Sequence, residues 1–196
     1  MDDGGSWEFQ TPRLWIRPLT SDDEDLYIAL FTDALTMQFI APALSVARAQ
    51  RSFRAYLRSS RSAREWLFLA LIDKSSEQPF GICTIQQLDE RRRRAEAGIM
   101  LKPAVHGRGF AKEGLAAVVG RAFAVLPIDE VWLEVAAANA VVQRVALSVG
   151  FTRGSSVAAG ETTTKYNIWS ATRDSWVLNG TSTEEENDDV QQHRFS

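Results

Sequence analysis

Between a strand-patterned segment, Glu96–Leu101, and a helix-patterned segment beginning near Ala111, the chain places His106-Gly107-Arg108-Gly109. This junction constrains the fold more than any other stretch, because it ties a strand to a helix through a loop with two side-chain-free positions. The backbone N–H groups of such a loop can converge on an anion at the positive end of the helix that follows, and phosphate is the natural guest. A second reading stays open, in which the loop is a tight turn whose glycines supply positive φ.

Periodicity places elements on both sides of it. Leu14–Arg17 reads as a short strand closed by Pro18, and Thr20 or Ser21 before Asp22-Asp23-Glu24 reads as a helix start with acids in its positive first turn. That first helix is expected to run to about Leu35, and a second from Val46 to Ser60. Trp66–Ile72 and Phe80–Gln87 form a hairpin across the loop Asp73–Pro79, Arg91–Arg94 is a charged turn, and Glu96–Leu101 is a further strand. The helix from Ala111 to Val125 turns Leu115, Val118, Val119 and Ala122 to one face and stops at Pro127. Val131–Val135 is strand-like, Asn139 is an N-cap, Val142, Val145 and Val149 stripe a helix, and Gly150 stands at its C′ position. Phe151–Ala158 and Lys165–Ala171 complete the strands, and no fixed structure is expected beyond about Asn179.

Composition excludes several classes. The 196 residues are 45% apolar and 24% charged, enough for one domain with a core. The longest apolar stretch, Leu115–Ile128, is broken by Arg121 and Pro127, so no membrane span is expected. An acidic start, Met1-Asp2-Asp3, lacks the basic and apolar regions of a secretory signal, and Cys83 alone can form no internal disulfide; the expected location is the cytoplasm. Five of the acids fall in Gly180–Ser196 with a single base, Arg194, leaving a nearly neutral body. Arginine outnumbers lysine 18 to 4, which points to a GC-rich, bacterial genome before it points to nucleic acid.

At these residues the chain resembles the GNAT superfamily of acetyl-CoA-dependent N-acetyltransferases, in the branch of the ribosomal-protein-alanine acetyltransferases. Thr11-Pro12-Arg13-Leu14-Trp15-Ile16-Arg17-Pro18-Leu19 is similar to that branch's opening strand. Ala95-Glu96-Ala97-Gly98-Ile99-Met100-Leu101, then Pro103 and His106 to Glu113, resembles its fourth strand and pyrophosphate loop, with His106 where Gln, Arg or Trp usually stands. Asn139 followed by Gly150-Phe151 resembles a third signature. The resemblance implies a single α/β domain with a mixed, mostly antiparallel sheet of about seven strands, about four flanking helices, and strands four and five splayed apart around the thioester. It divides the chain into an extension, 1–8, an acetyltransferase domain, 9–179, and an acidic disordered tail, 180–196.

The same resemblance assigns roles. The backbone of Ile99, Met100 and Leu101 would pair with the pantetheine arm of acetyl-CoA. The N–H groups of His106, Gly107, Arg108, Gly109, Phe110 and Ala111 would hold the pyrophosphate, Asn139 would face the arm, and Arg144 could reach a phosphate. An attacking amine must be neutral, so a base or water chain is required, and Glu96 and Glu134 are the candidates; each could also be a solvated strand residue or the partner of an arginine. Where relatives carry a serine or tyrosine able to protonate the leaving thiolate, this chain has Val142 and Ala146, with Tyr166 only a distant substitute. The expected reaction is direct attack of a primary amine in a ternary complex, the alternative a non-catalytic acyl-CoA-binding sensor or interaction module. The weak acid/base set tilts the acceptor toward an α-amine or another amine of low pKa.

Other features are less informative. Arg48, Arg51, Arg54, Arg58 and Arg61 recur along one face of the second helix, read here as a solvated face with carboxylate partners rather than a nucleic-acid dock. Cys83 reads as a small core residue, no metal site is expected, and His193 has no visible partner. Neither a membrane nor nucleic acid is an expected partner, and a homodimer stays open.

Overall fold

The computed structural model describes residues 7–59, 66–89, 93–158 and 165–177. Its strands are β1 (Phe9–Gln10), β2 (Leu14–Pro18), β3 (Leu67–Asp73), β4 (Gln78–Asp89), β5 (Arg94–Leu101), β6 (Glu130–Ala136), β7 (Thr152–Ala158) and β8 (Lys165–Thr172). The helices are α1 (Glu24–Thr32), α2 (Ala34–Met37), α3 (Val46–Ser59), α4 (Phe110–Val125) and α5 (Ala140–Val149). The strands form one eight-stranded sheet in the order β1-β2-β3-β4-β5-β6-β8-β7. All neighbours are antiparallel except β5 and β6.

Period-two alternation sorts the strand side chains between two faces. Leu69 and Leu71 of β3 pack with Leu14, Ile16, Phe110 and Val118, under α4. Ala70 and Ile72 point the other way, to Leu26, Tyr27 and Leu30 of α1 and Phe53 of α3. Ala95, Ala97, Val131, Leu133 and Val135 continue the α4 face toward α5, with Leu115, Val119 and Ala146. Glu96, Trp132 and Glu134, one residue out of step with that set, therefore share the face that carries α1 and α3. There the aromatic rings are held by polar tips: Tyr27 Oη and Ser52 Oγ lie 3.0 Å apart, and Tyr56 Oη accepts from the Phe68 N–H at 3.1 Å.

Several expectations are corrected. The first helix does not run unbroken to Leu35: Asp33 is extended (φ −78°, ψ 116°), and its carboxylate accepts from Thr36 N at 2.7 Å and Thr36 Oγ1 at 2.6 Å. It caps a new short helix, α2, instead of continuing the old one. Arg94 belongs to β5 and not to a turn, and β1 adds an eighth strand through its pairing of Phe9 with Ile16. Loop 73–79 is tighter than expected, since Asp73 and Gln78 already pair. Asp23 is also more than a first-turn acid. It is 1% exposed, accepts from Thr20 N at 2.8 Å, and binds Arg17 through two contacts of 2.7 and 3.1 Å that raise the Arg17 pKa. The ends expected at Ser60 and Arg61, part of the turn at 91–92, and the tail 180–196 with His193 lie outside the described residues.

Candidate active site

β5 pairs with β4 along its length, but with β6 only at Arg94, Ala95 and Glu96, opposite Glu130, Val131 and Trp132. β6 in turn pairs with β8 from Glu130 to Ala136. Beyond Glu96 and Trp132 the two parallel strands therefore part, and each presents an unpaired edge to the gap: Ala97–Leu101 on one side, Leu133–Ala136 on the other. Main-chain donors and acceptors along such edges call for a partner. Ile99 and Leu101 lean toward the α4 face and Met100 toward the α1/α3 face, so only their backbone faces the opening.

The gap ends at the loop before α4. Pro103–Val105 forms a single 3-10 turn, His106 sits exposed with Nε2 3.2 Å from Leu101 O, and Gly107 and Gly109 have φ of +76° and +78°. Gly109 is the N-cap of α4 and brings no side chain to the helix end. The His106 N–H donates to Pro103 O at 3.1 Å and so drops out of the expected set of donors, whereas among the described residues the N–H groups of Gly107 to Ala111, and also that of Lys112, meet no backbone or side-chain acceptor. Six donors thus open at the positive pole of a 16-residue helix. The positive φ that a tight turn requires and the convergent N–H groups that an anion requires occur here together. Phe110 contributes backbone only, its ring being buried 4.7 Å from that of Phe80.

Around the loop stand charged groups that spacing did not bring together. Arg13 donates Nε to Glu113 Oε2 at 2.6 Å and Nη1 to Arg108 O at 2.9 Å. Burial works against ionisation of Glu113, but hydrogen bonds from Thr11 and Arg13 outweigh it and hold its carboxyl below the usual range. Arg108 lies 3.6 Å from Asp73. Arg13 is about a hundred residues of chain away from Arg108 and Glu113, and no local pattern signals such a contact.

At the point where β5 and β6 separate lies Glu96. It is half-buried, and burial first, then the negative charge of Glu134, raises its pKa from 4.5 to about 7. The structure brings together the two carboxylates named from sequence, with Glu134 exposed and Glu96 sheltered. Trp132, the register partner of Glu96, holds a buried indole N–H with no acceptor among the described residues.

The remaining candidates are dispersed. Asn139 Oδ1 accepts from Val142 N at 3.2 Å, so that end of its amide caps α5. Arg144 is exposed on α5, Val142 is half-buried and Ala146 is buried, and Tyr166 sits partly buried on β8 opposite Ala136. Cys83 is buried on the α4 face, where desolvation pushes its thiol far above the ordinary range. Among the described residues, no group of three His, Cys, Asp or Glu could hold a metal, and no helix is long and apolar enough to cross a membrane. On α3, Arg48, Arg51, Arg54 and Arg58 are all exposed, and the expected carboxylate pairing is present at Arg54 with Glu24, 3.2 Å apart.

The model of one protein family, the Acetyltransferase (GNAT) domain, matches residues 13–152. Among solved structures, an acetyltransferase (GNAT family) from Bacillus anthracis aligns with TM-score 0.74 at 14% identity, over 85% of this chain and 99% of its own. A spermidine N-acetyltransferase from Vibrio cholerae, in complex with CoA and spermine, aligns with TM-score 0.73 at 16% identity, over 85% and 99%. RimL, a ribosomal L7/L12 alpha-N-protein acetyltransferase in complex with CoA, aligns with TM-score 0.73 at 14% identity, over 84% and 97%. No curated protein sequence matches the chain.

Proposed function

We propose, since this chain belongs to the GNAT acetyltransferase family, that it transfers an acetyl group from acetyl-CoA to a primary amine, by direct attack within a ternary complex. The observation that carries the reading is the gap between β5 and β6, which runs from a sheltered carboxylate of raised pKa at its apex to six N–H groups at its mouth that none of the described residues engages. The residues present fit a CoA thioester: an extended amide-bearing arm can pair with the edge Ile99–Leu101, and a pyrophosphate matches the donors of Gly107–Lys112. Acetyl-CoA supplies the acyl group in activated form. As the C–N bond forms and the C–S bond breaks, the second of the two protons that leave the nitrogen goes with the thiolate, directly or through water, to give free CoA; the chain's own work is to hold the arm, to exclude bulk water from the apex, and to take the first proton.

Glu96 takes that proton from the incoming ammonium, directly or through water, and Glu134 keeps it basic enough to do so. Cys83 offers no acyl-enzyme route, being buried away from this face with a thiol that does not ionise near neutrality. A base near pH 7 also discriminates among amines. Proton transfer from an α-ammonium of pKa about 8 is uphill by about one unit, and from a lysine of about 10.4 by more than three, or roughly 4–5 kcal/mol. This favours a peptide N-terminus or a small amine of low pKa as the acceptor. Of the acceptors of two structural neighbours, the ribosomal protein N-terminus fits this preference, whereas spermidine, whose primary amines are alkylamines like that of lysine, does not.

Free thiol release from acetyl-CoA, measured against peptide N-termini, amino acids, polyamines and aminoglycosides, tests the reading. Glu96→Gln should lower turnover on the best amine by about 100-fold while leaving CoA affinity unchanged, and the wild-type rate should rise through a pKa near 7 rather than follow the amine alone. The hydrophobic side chains Val142 and Ala146, which offer no proton to the leaving thiolate, favour a second reading as an acyl-CoA-binding sensor. CoA binding with no thiol release on any amine would select it.

A further inference from the structure

We propose that Arg13 is a positioning residue for the phosphate cradle: it locks the peptide plane between Arg108 and Gly109 so that the N–H groups before α4 stay convergent. The inference rests on the reading of that loop as the pyrophosphate site.

Arg13 lies just outside β2, far in sequence from the loop, yet it grips the loop at Arg108 and the first turn of α4 at Glu113. Nη1 donates to Arg108 O at 2.9 Å, Nε donates to Glu113 Oε2 at 2.6 Å, and the Arg13 backbone N–H donates to Glu113 Oε1 at 3.0 Å. Thr11 Oγ1 adds a bond of 2.5 Å to Glu113 Oε1. The guanidinium also stacks 4.7 Å from the centre of the Phe110 ring. The clamp is itself anchored, since the Lys74 N–H donates to Arg13 O at 3.0 Å and Lys74 Nζ to Thr11 O at 2.6 Å. Residues 108 and 113, which bracket most of the unengaged N–H groups, are therefore tied through one side chain to the sheet.

The consequence follows from the geometry of a trans peptide. Arg108 O and the Gly109 N–H belong to the same plane and point in opposite directions, and the chain holds no cis peptide bond among the described residues. With the oxygen drawn to Arg13, the N–H is directed away from it. Gly109, at φ +78°, has no side chain to resist a flip of that plane, so the Arg13 bond supplies the restraint that glycine cannot. A pre-set plane spares the cost of ordering it when the ligand arrives.

Calorimetry with CoA and NMR titration with pantetheine, which lacks the pyrophosphate, test the assignment on folded full-length protein. Arg13→Ala should weaken CoA at least 10-fold and pantetheine less than twofold. Arg13→Lys, which carries its donors on one nitrogen in place of the separate Nε and Nη1 that hold Glu113 and Arg108 O, should weaken CoA at least threefold, and it carries the test if the alanine variant fails to fold. Glu113→Gln separates positioning from direct phosphate contact. Loosening the clamp should weaken CoA, whereas an Arg13 that simply meets the phosphate would be freed by this change and bind tighter. Equal losses for both ligands, no loss for either, or tighter binding by Glu113→Gln would each overturn the proposal. Absence of CoA binding by the wild type would instead remove the cofactor reading beneath it.

Discussion

The two ends of α4 are treated in opposite ways. Its C-terminal end is closed over by one side chain: Arg173 donates to Phe123 O in the last turn and, just beyond the helix, to Leu126 O at 3.1 Å and to Ile128 O at 2.7 and 3.1 Å. At its N-terminal end no such partner exists among the described residues, although Arg13, Thr11 and Glu113 stand close by and are engaged with one another. A fold that needed only stability would satisfy both ends. Closing one and leaving the other open, while bracing the open one from outside, is what a ligand site at a helix terminus requires.

The contrast breaks most visibly at the closed end. Arg173→Ala leaves the carbonyls of the core residues Phe123 and Ile128 without a partner, while Leu126 O keeps its bond from the Ile128 N–H, and should cost about 3 kcal/mol, which in a chain of this size lowers the thermal midpoint by roughly 6–12 °C. CoA affinity should be unchanged, because the stabilised end and the binding end lie at opposite poles of the helix. The measurement is a thermal melt paired with CoA calorimetry; a joint loss would show that the two ends are not independent.

Somewhat smaller is the effect at the open end. Gly109→Val puts a branched side chain at φ +78°, with its Cβ about 3.4 Å from an Arg13 nitrogen, and moves the plane that Arg13 holds. CoA affinity should fall about 100-fold, or about 2.8 kcal/mol. The same calorimetry on the folded variant checks it, and equal affinities would place the phosphates elsewhere.

The difference between the two ends also marks what could be read from the chain. Gly109 at the start of α4, Asn139 capping α5 and Gly150 at φ +104° were legible because caps and positive-φ positions act on neighbours a few residues away. The splay of the two parallel strands was reached only through family resemblance, since nothing in β5 or β6 alone says where pairing stops. Glu96 and Glu134 were nameable separately, but their pairing depends on the register Glu96–Trp132. Arg13 with Glu113, and Arg173 with the carbonyls after α4, join positions about 100 and 50 residues apart, beyond the reach of any periodicity. The opposite failure occurred at Asp33, whose capping chemistry is local but was masked by apolar residues at helical spacing on either side.

Glu96 sharpens the comparison from another direction, since here a charge is withheld from solvent rather than a donor offered to it. Burial and Glu134 raise its folded pKa to about 7 from 4.5, so the folded chain holds the proton more tightly than the unfolded one. The stability this gives is fully present below pH 4.5 and is lost as the pH rises through 7. Glu96→Gln, neutral throughout, should therefore match wild type near pH 4 and exceed it at pH 8, each kilocalorie being worth roughly 2–4 °C. Melts at the two pH values check the sign. A variant with the same offset at both would mean that Glu96 is not displaced in the folded state.

The smallest effect expected concerns the other positive surface. The exposed arginines of α3 carry full charges, whereas the α4 terminus offers only backbone dipoles, so if charge alone recruited phosphate the arginine face would be the better site. It lacks what the loop has: the arginines project into water, and their long side chains must be ordered on contact. Arg51→Glu combined with Arg58→Glu should leave CoA affinity within twofold of wild type, and labelled RNA or DNA should bind neither protein appreciably at physiological salt. Titration across several salt concentrations makes the test sharp, because true phosphate contacts would give log K a slope of about −0.7 to −0.9 each. Micromolar binding with such a slope, abolished by the double variant, would make α3 a docking face for nucleic acid and move the expected acceptor toward an RNA-bound protein.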